Sequence, residues 1–311
     1  MVKADLHIHT NCSDGVMTPK EVIDEAVNHG VSVISIADHD TIDAYNDELF
    51  DYAETKKVKI IPAVEISTKI GKCGFHVLGY NFDMKNEKLL KQLSALRNAR
   101  HDYLYNVSEK LKELGYVVNV SQLDQIEAVT KAHIYSDIVV NPENEKVLFE
   151  NFGHIPDKGE FIESIMNEGC PAYVKKATIT PVEASKLIHN AGGKVILAHP
   201  VAYKYEDNFM AEDVLKLVQD MQADGIEANY VYVDKDNHKI NDSAFWNQFA
   251  KEYNLKTTIG SDFHNKDGLH PVIGLLGENI TILENYIDGL LEWFCLLYTS
   301  PSPRDRQKSR M

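Results

Sequence analysis

The 311 residues carry 44% hydrophobic and 25% charged side chains. Those are ordinary proportions for a globular protein, and the chain is long enough for one large α/β domain or two small ones. A net charge of −15 argues against a broad electrostatic footprint on nucleic acid, so no stable large nucleic-acid complex is expected. It does not exclude a polyanionic substrate, because several divalent cations in one cleft would reverse the local potential. No apolar run approaches the ~20 residues that span a bilayer. The N-terminal MVKADLHIHT begins a strand with no room for a signal peptide, so a cytoplasmic protein without membrane attachment is expected. Cys12, Cys73, Cys170 and Cys295 lack paired spacing and read as reduced thiols.

Strand and helix signals alternate from the start. VKADLHI reads as a strand. TPKEVIDEAVNHG reads as a helix with Thr18 as N-cap, Pro19 at its first position and Gly30 closing it. VSVISIA is a β-branched buried strand, a helical stretch runs from Thr41 to about Lys57, KIIPAVEIS is the third strand and GFHVLGYNF the fourth. This rhythm predicts a parallel sheet or barrel with ligands at the C-terminal ends of its strands. From 86 to 169 the pattern turns helical, with a long amphipathic stretch through Leu114 and shorter segments at Ser121–Val129, Ala132–Val140 and Glu143–Phe152, closed by DKGEFIESIMNEG. That block reads as a helical insertion over the mouth of a barrel formed by 1–85 and 170–294. The rhythm resumes with TPVEASKLIHNAGG (helix), KVILAHP (strand), AEDVLKLVQDMQADG (helix), IEANY (strand), INDSAFWNQFAKEYN (helix) and KTTIGSDFH (strand).

Nine potential metal ligands fall along this frame: His7, His9, Asp14, His39, Glu65, His76, His199, Asp262 and His264. His7 and His9 are two apart on a strand, so both imidazoles project to one face and can chelate one borderline metal. Asp14 follows in the turn NCSDG. His39 ends the second strand in ADHD, with Asp38 and Asp40 as outer orienting groups. Glu65, flanked by Val64 and Ile66, is a buried carboxylate that needs positive charge beside it, and bridging two metals would supply it. His76 in GFHVLGY, His199 in ILAHP and the Asp262/His264 pair in GSDFH complete the set. Any one of these is more often a hydrogen-bonded core residue; nine together point to a metal-dependent hydrolase. His29, His154, His189, His238 and His270 read as solvated or capping, and Cys12 as a small neutral thiol. His101 and His133 lie near positive charge in the insertion.

HxH…SDG, the DHD at the second strand, a strand-end Glu, AHP and GSDFH together resemble the polymerase and histidinol phosphatase (PHP) family over roughly residues 2–275. The resemblance implies a distorted seven-stranded (βα) barrel holding three divalent metal ions. His7, His9, Glu65 and Asp262 would bind the first, Glu65, His76 and His199 the second, and Asp14, His39 and His264 the third. Manganese is the first expectation, zinc and iron(II) the alternatives, since ligand type alone does not choose among them. LRNARHDYL, KAHI, PAYV, GGKVILAHP and GSDFHN resemble the stand-alone branch of nucleoside 3′,5′-bisphosphate phosphatases and 5′→3′ oligoribonucleases. That branch implies phosphate recognition by Arg97 and Arg100, and by Lys131 and His133 where the family has Arg-Pro-His. Lys131 keeps the charge but loses the bidentate fork.

The expected reaction is removal of the 3′-phosphate from nucleoside 3′,5′-bisphosphates, or of nucleotides from 5′-phosphorylated short RNA. It would proceed by in-line attack of a metal-bridging hydroxide, with Glu65 and Asp14 in the catalytic centre and His133 as a candidate proton donor. A histidinol-phosphate-type monophosphatase and a non-catalytic metal-binding regulatory module are the alternatives. The sequence leaves the oligomeric state open. The last seventeen residues, CLLYTSPSPRDRQKSRM, resemble a translated sequencing adapter, so 295–311 is expected to be non-native and the natural protein cut short near Phe294.

Overall fold

The computed structural model describes residues 4–126, 129–234, 236–274 and 292–294. The tail at 295–311 and most of the helical pattern leading to it lie outside the described residues, as do Glu127 and Ala128 of the expected Ser121–Val129 segment. The chain divides into two compact units, one of residues 1–90 with 179–311 and one of residues 91–178.

The first unit is a mixed α/β assembly. It opens with β1 (Ala4–Ile8), α1 (Pro19–Asn28), β2 (Val33–Ile36), α2 (Asp47–Thr55), β3 (Lys59–Ile60), β4 (Ala63–Ile70) and β5 (Cys73–Tyr80). Thr18 caps α1 in a reciprocal capping box with Glu21, satisfying two of the backbone N–H groups that a helix start leaves unpaired. The second helix starts later than its pattern suggested. Asn46 caps it, and the stretch before it folds inward so that the hydroxyl of the partly buried Tyr45 accepts the N–H groups of Ile36 and Ala63. The expected third strand breaks at Ile61–Pro62 into β3 and β4, because Pro62 has no N–H to give a ladder.

The second unit is helical: α3 (Glu87–Glu113) enters it from residue 91, followed by α4 (Val120–Leu123), α5 (Lys131–Val140), α6 (Glu145–Phe152) and α7 (Lys158–Phe161). Its core is its own, built on Leu104, Val107, Leu111, Ile134, Ile138, Leu148 and Phe161. The first unit then continues through α8 (Pro181–Asn190), β6 (Lys194–Leu197), α9 (Pro200–Glu206), α10 (Ala211–Met221), β7 (Gly225–Asn229), β8 (Tyr232–Val233), β9 (Lys239–Ile240), α11 (Ser243–Glu252) and β10 (Lys256–Ile259).

Three strands form a parallel sheet in the order β1-β2-β3, five form a sheet in the order β10-β7-β6-β5-β4, and β8 and β9 pair as a hairpin. Parallel bridges also join Ile8 to Phe263 and His39 to Glu65. The expectation of a parallel sheet or barrel is corrected at β5, which runs antiparallel to both β4 and β6. Only Gly71 and Lys72 separate β4 from β5, and so short a connection permits a hairpin but no crossover. The reversal puts the first half of β5, with His76, level with the C-terminal ends of its parallel neighbours. Among the described residues, no helix is long and apolar enough to cross a membrane.

Candidate metal centre

β1 places His7 and His9 on the same face, both fully buried. Glu65 comes from β4, where it is 1% exposed, and it is the hub of the centre. Five imidazole nitrogens approach its two oxygens: His39 Nδ1 at 3.0 Å, His76 Nδ1 at 3.1 Å, His7 Nε2 and His9 Nε2 at 3.3 Å, and His199 Nε2 at 3.4 Å. No hydrogen bond of good geometry forms with either oxygen. Asp262 Oδ1 lies 3.1 Å from His9 Nε2 and 3.4 Å from His7 Nε2. Asp14 Oδ1 is 3.4 Å from both His9 Nδ1 and His264 Nε2, and its Oδ2 is 3.7 Å from His39 Nε2. All nine ligands expected from the sequence therefore fall in one cluster.

Within this cluster, three sets have donor atoms close enough to share an ion: His9, Asp14, His39 and His264; His7, His9 and Asp262; and His39, Glu65 and His76. His199 adjoins the last, 3.2 Å from His76. These sets overlap the trio implied by the family resemblance but share His9 and His39 more widely. The donor chemistry fits divalent cations. With His7 Nδ1 bound to Glu227 at 3.1 Å, a neutral His7 presents the lone pair of Nε2, 3.1 Å from His9 Nε2. Two such lone pairs facing one another repel unless a proton or a metal lies between them.

The charge balance leads to the same conclusion. Burial opposes a charge on His7, yet the carboxylates of Glu227, Glu65 and Asp262 hold its pKa well above the usual imidazole range. Burial likewise opposes a charge on His9, but the close carboxylates of Asp262, Glu65 and Asp14 lift it to about 10. His39 is driven the other way, chiefly by burial. Despite burial, surrounding imidazoles hold Glu65, Asp14 and Asp262 below the ordinary carboxylate range. The carboxylates thus demand positive charge, and divalent ions held by the neighbouring imidazoles would supply it.

Outer groups orient this cluster. Asp38 accepts the Thr10 N–H at 2.7 Å and the hydroxyls of Thr10 and Ser13 at 2.6 Å, while Asp40 accepts the Ser67 N–H at 3.0 Å. Glu227, which the sequence reading did not single out, is buried on β7 and binds His7 Nδ1 through both oxygens, at 3.1 and 3.2 Å, and the backbone N–H of His199 at 2.9 Å. The Tyr230 hydroxyl donates to Asp262 Oδ2 at 3.1 Å. Asp40, His199 and Asp262 have φ of 55°, 24° and 52°, backbone conformations that L-residues rarely adopt and that functional sites tolerate at a cost.

The remaining site residues expected from sequence belong to the second unit. Arg97 and the buried Arg100 lie one turn apart on α3. Lys131 opens α5 and donates to Asn167 Oδ1 at 2.7 Å. The Thr130 N–H donates to His133 Nδ1 at 3.1 Å, so His133 completes a capping box. Outside the cluster, His154, His189, His238 and His270 pair with Glu160, Asp224, Asp234 and Asp267.

Residues 5–163 match the model of the PHP domain. The chain belongs to the PHP domain family. This PHP protein is 32% identical over 291 residues to a 5′-3′ exoribonuclease of Haemophilus influenzae, covering 92% of this chain and 97% of that protein. It is 25% identical to a 3′,5′-nucleoside bisphosphate phosphatase of Chromobacterium violaceum, covering 85% and 88%. A solved structure from Bifidobacterium adolescentis shares the fold with a TM-score of 0.70 at 21% identity, covering 93% and 96%.

Proposed function

We propose that this PHP protein is a divalent-metal-dependent phosphoesterase that removes the 3′-phosphate of nucleoside 3′,5′-bisphosphates and degrades short 5′-phosphorylated RNA from its 5′ end. The observation that carries this reading is one buried carboxylate, Glu65, with five imidazoles within 3.4 Å. Such an arrangement is expensive unless metal ions are held there. Near-full-length similarity to an exoribonuclease supports the substrate class.

We assign the nine clustered side chains as ligands for three divalent ions, manganese ahead of zinc or iron(II). When bound, they supply Lewis-acid stabilisation of the phosphoryl oxygens and acidify water. In this reading Glu65 and Asp262 keep the imidazoles facing inward, while Glu227 and Asp38 fix their frame. Arg97 and Arg100 take a second phosphate through planar, charge-assisted hydrogen bonds, and Lys131 adds a point charge. Because His133 Nδ1 accepts the Thr130 N–H, a neutral His133 carries its proton on Nε2 and can donate it to a leaving oxygen. Residues 91–178 are then the substrate-recognition unit. We also read the two sheets and their bridges at Ile8–Phe263 and His39–Glu65 as one ring of seven strands, with β3 outside it.

The test is phosphate or nucleotide release with Mn²⁺ from adenosine 3′,5′-bisphosphate, a 5′-phosphorylated oligoribonucleotide and histidinol phosphate. Turnover of the first two over the third is expected. Preference for histidinol phosphate, or no turnover of any, would refute the proposal.

A further inference from the structure

A cleft of about 290 Å³ opens directly beside Asp262 and His264, walled by Tyr230 and Tyr232 and rimmed by Glu206, Asn265, Asp267 and His270. All of these belong to the first unit. We infer that this cleft is the nucleoside subsite: it takes the base and sugar of the nucleotide whose phosphate lies at the metal centre, and it excludes a second phosphate. The inference rests on the phosphoesterase reading above and adds which side of the centre the organic part occupies.

Charge gives the first argument. Among the described residues that line the cleft, no Lys or Arg occurs, whereas Glu206, Asp262 and Asp267 do. A phosphate dianion placed at the rim would meet Glu206 and Asp267 and be repelled. Ribose hydroxyls are donors, and carboxylates accept them.

An aromatic wall is built into the same cleft. Tyr230 is fixed at its foot by the hydroxyl bond to Asp262 and by packing of its ring 5.3 Å from His199. Tyr232 stands farther out on the β8–β9 hairpin, where its ring stacks on Tyr205 at 6.0 Å and 16° and its hydroxyl donates to Glu206 at 3.1 Å. A tyrosine braced on one face and at its tip is held ready for a planar ring, and stacking needs no particular base. Asn265, which also lines the cleft, offers both a donor and an acceptor. The volume lies at the small end for ligand clefts, which suits one nucleoside.

Direct binding tests this without requiring turnover. Calorimetric titration of the Mn²⁺-loaded protein with adenosine 3′-monophosphate (here AMP) and, separately, with inorganic phosphate should give a Tyr232→Ala variant that binds this AMP about 5- to 150-fold more weakly, the range of a lost base stack. Its affinity for phosphate should stay close to wild type, and Tyr232→Phe should retain most of the AMP affinity. Unchanged AMP affinity in Tyr232→Ala would overturn the subsite, as would equal weakening of AMP and phosphate. If the subsite holds while no phosphoester is hydrolysed, the proposed function fails and the subsite stands.

Discussion

Replacing Glu227 by Gln keeps the side chain's size and removes its charge. The carboxylate accepts from two donors, His7 Nδ1 at 3.1 Å and the His199 N–H at 2.9 Å. A carboxamide can keep its oxygen near both donors only from the Oε2 position, 3.2 Å from His7 Nδ1 and 2.9 Å from the His199 nitrogen, and its NH₂ then faces His7 Nδ1 where the second carboxylate oxygen stood. One hydrogen bond to a charged acceptor is therefore lost, worth about 1.5–3 kcal/mol. That converts to roughly 10- to 100-fold, the same size as the usual effect of an outer partner on metal affinity. Equilibrium dialysis of wild type and Glu227→Gln against buffered Mn²⁺, with metal content read by mass spectrometry, measures it. Circular dichroism checks that the variant folds. Wild-type Mn²⁺ affinity in a folded Glu227→Gln protein would refute the reasoning.

Three further outcomes are expected. Gly260→Ala would drive a Cβ into His7 Cβ and a Glu227 oxygen, so it should cost about 1–3 kcal/mol of stability by overpacking and lower Mn²⁺ content, read by chemical denaturation and metal analysis. Mn²⁺ at a hundred times its dissociation constant should stabilise the folded chain by about 2.7 kcal/mol, so chelation should lower the thermal midpoint by several degrees and add-back should restore it. Arg97→Ala should weaken kcat/KM for adenosine 3′,5′-bisphosphate by roughly 10-fold or more through loss of a charge-assisted hydrogen bond, and Lys131→Arg should lower KM; steady-state kinetics checks both.

The ligand cluster was legible because its residues recur at spacings that a strand turns into one face, as with His7 and His9, or stand where an apolar run makes a charge costly, as with Glu65. Glu227 carries that second signal too, between Ile226 and Ala228, but no neighbouring histidine draws the eye to IEANY. The antiparallel β5 was hidden for a different reason. Side chains alternate with period two in either strand direction, so GFHVLGYNF reads the same both ways; the two-residue connection at Gly71–Lys72 was the clue. The helix expected from Thr41 started late because Asn46 supplies the cap and Tyr45 is drawn into the seam between β2 and β4, a tertiary contact that local pattern does not contain. α9 and the β8–β9 hairpin are short elements held mainly by their neighbours, and periodicity has little to register over so few residues.

The most direct test is phosphate release from adenosine 3′,5′-bisphosphate by Mn²⁺-loaded wild type and by a Glu65→Ala protein brought to the same free Mn²⁺. The account predicts turnover in the wild type that chelation abolishes and Mn²⁺ restores, and a loss of at least two orders of magnitude in Glu65→Ala, as expected when several ligands lose their common partner. Wild-type turnover in Glu65→Ala, or turnover indifferent to chelation, would contradict it.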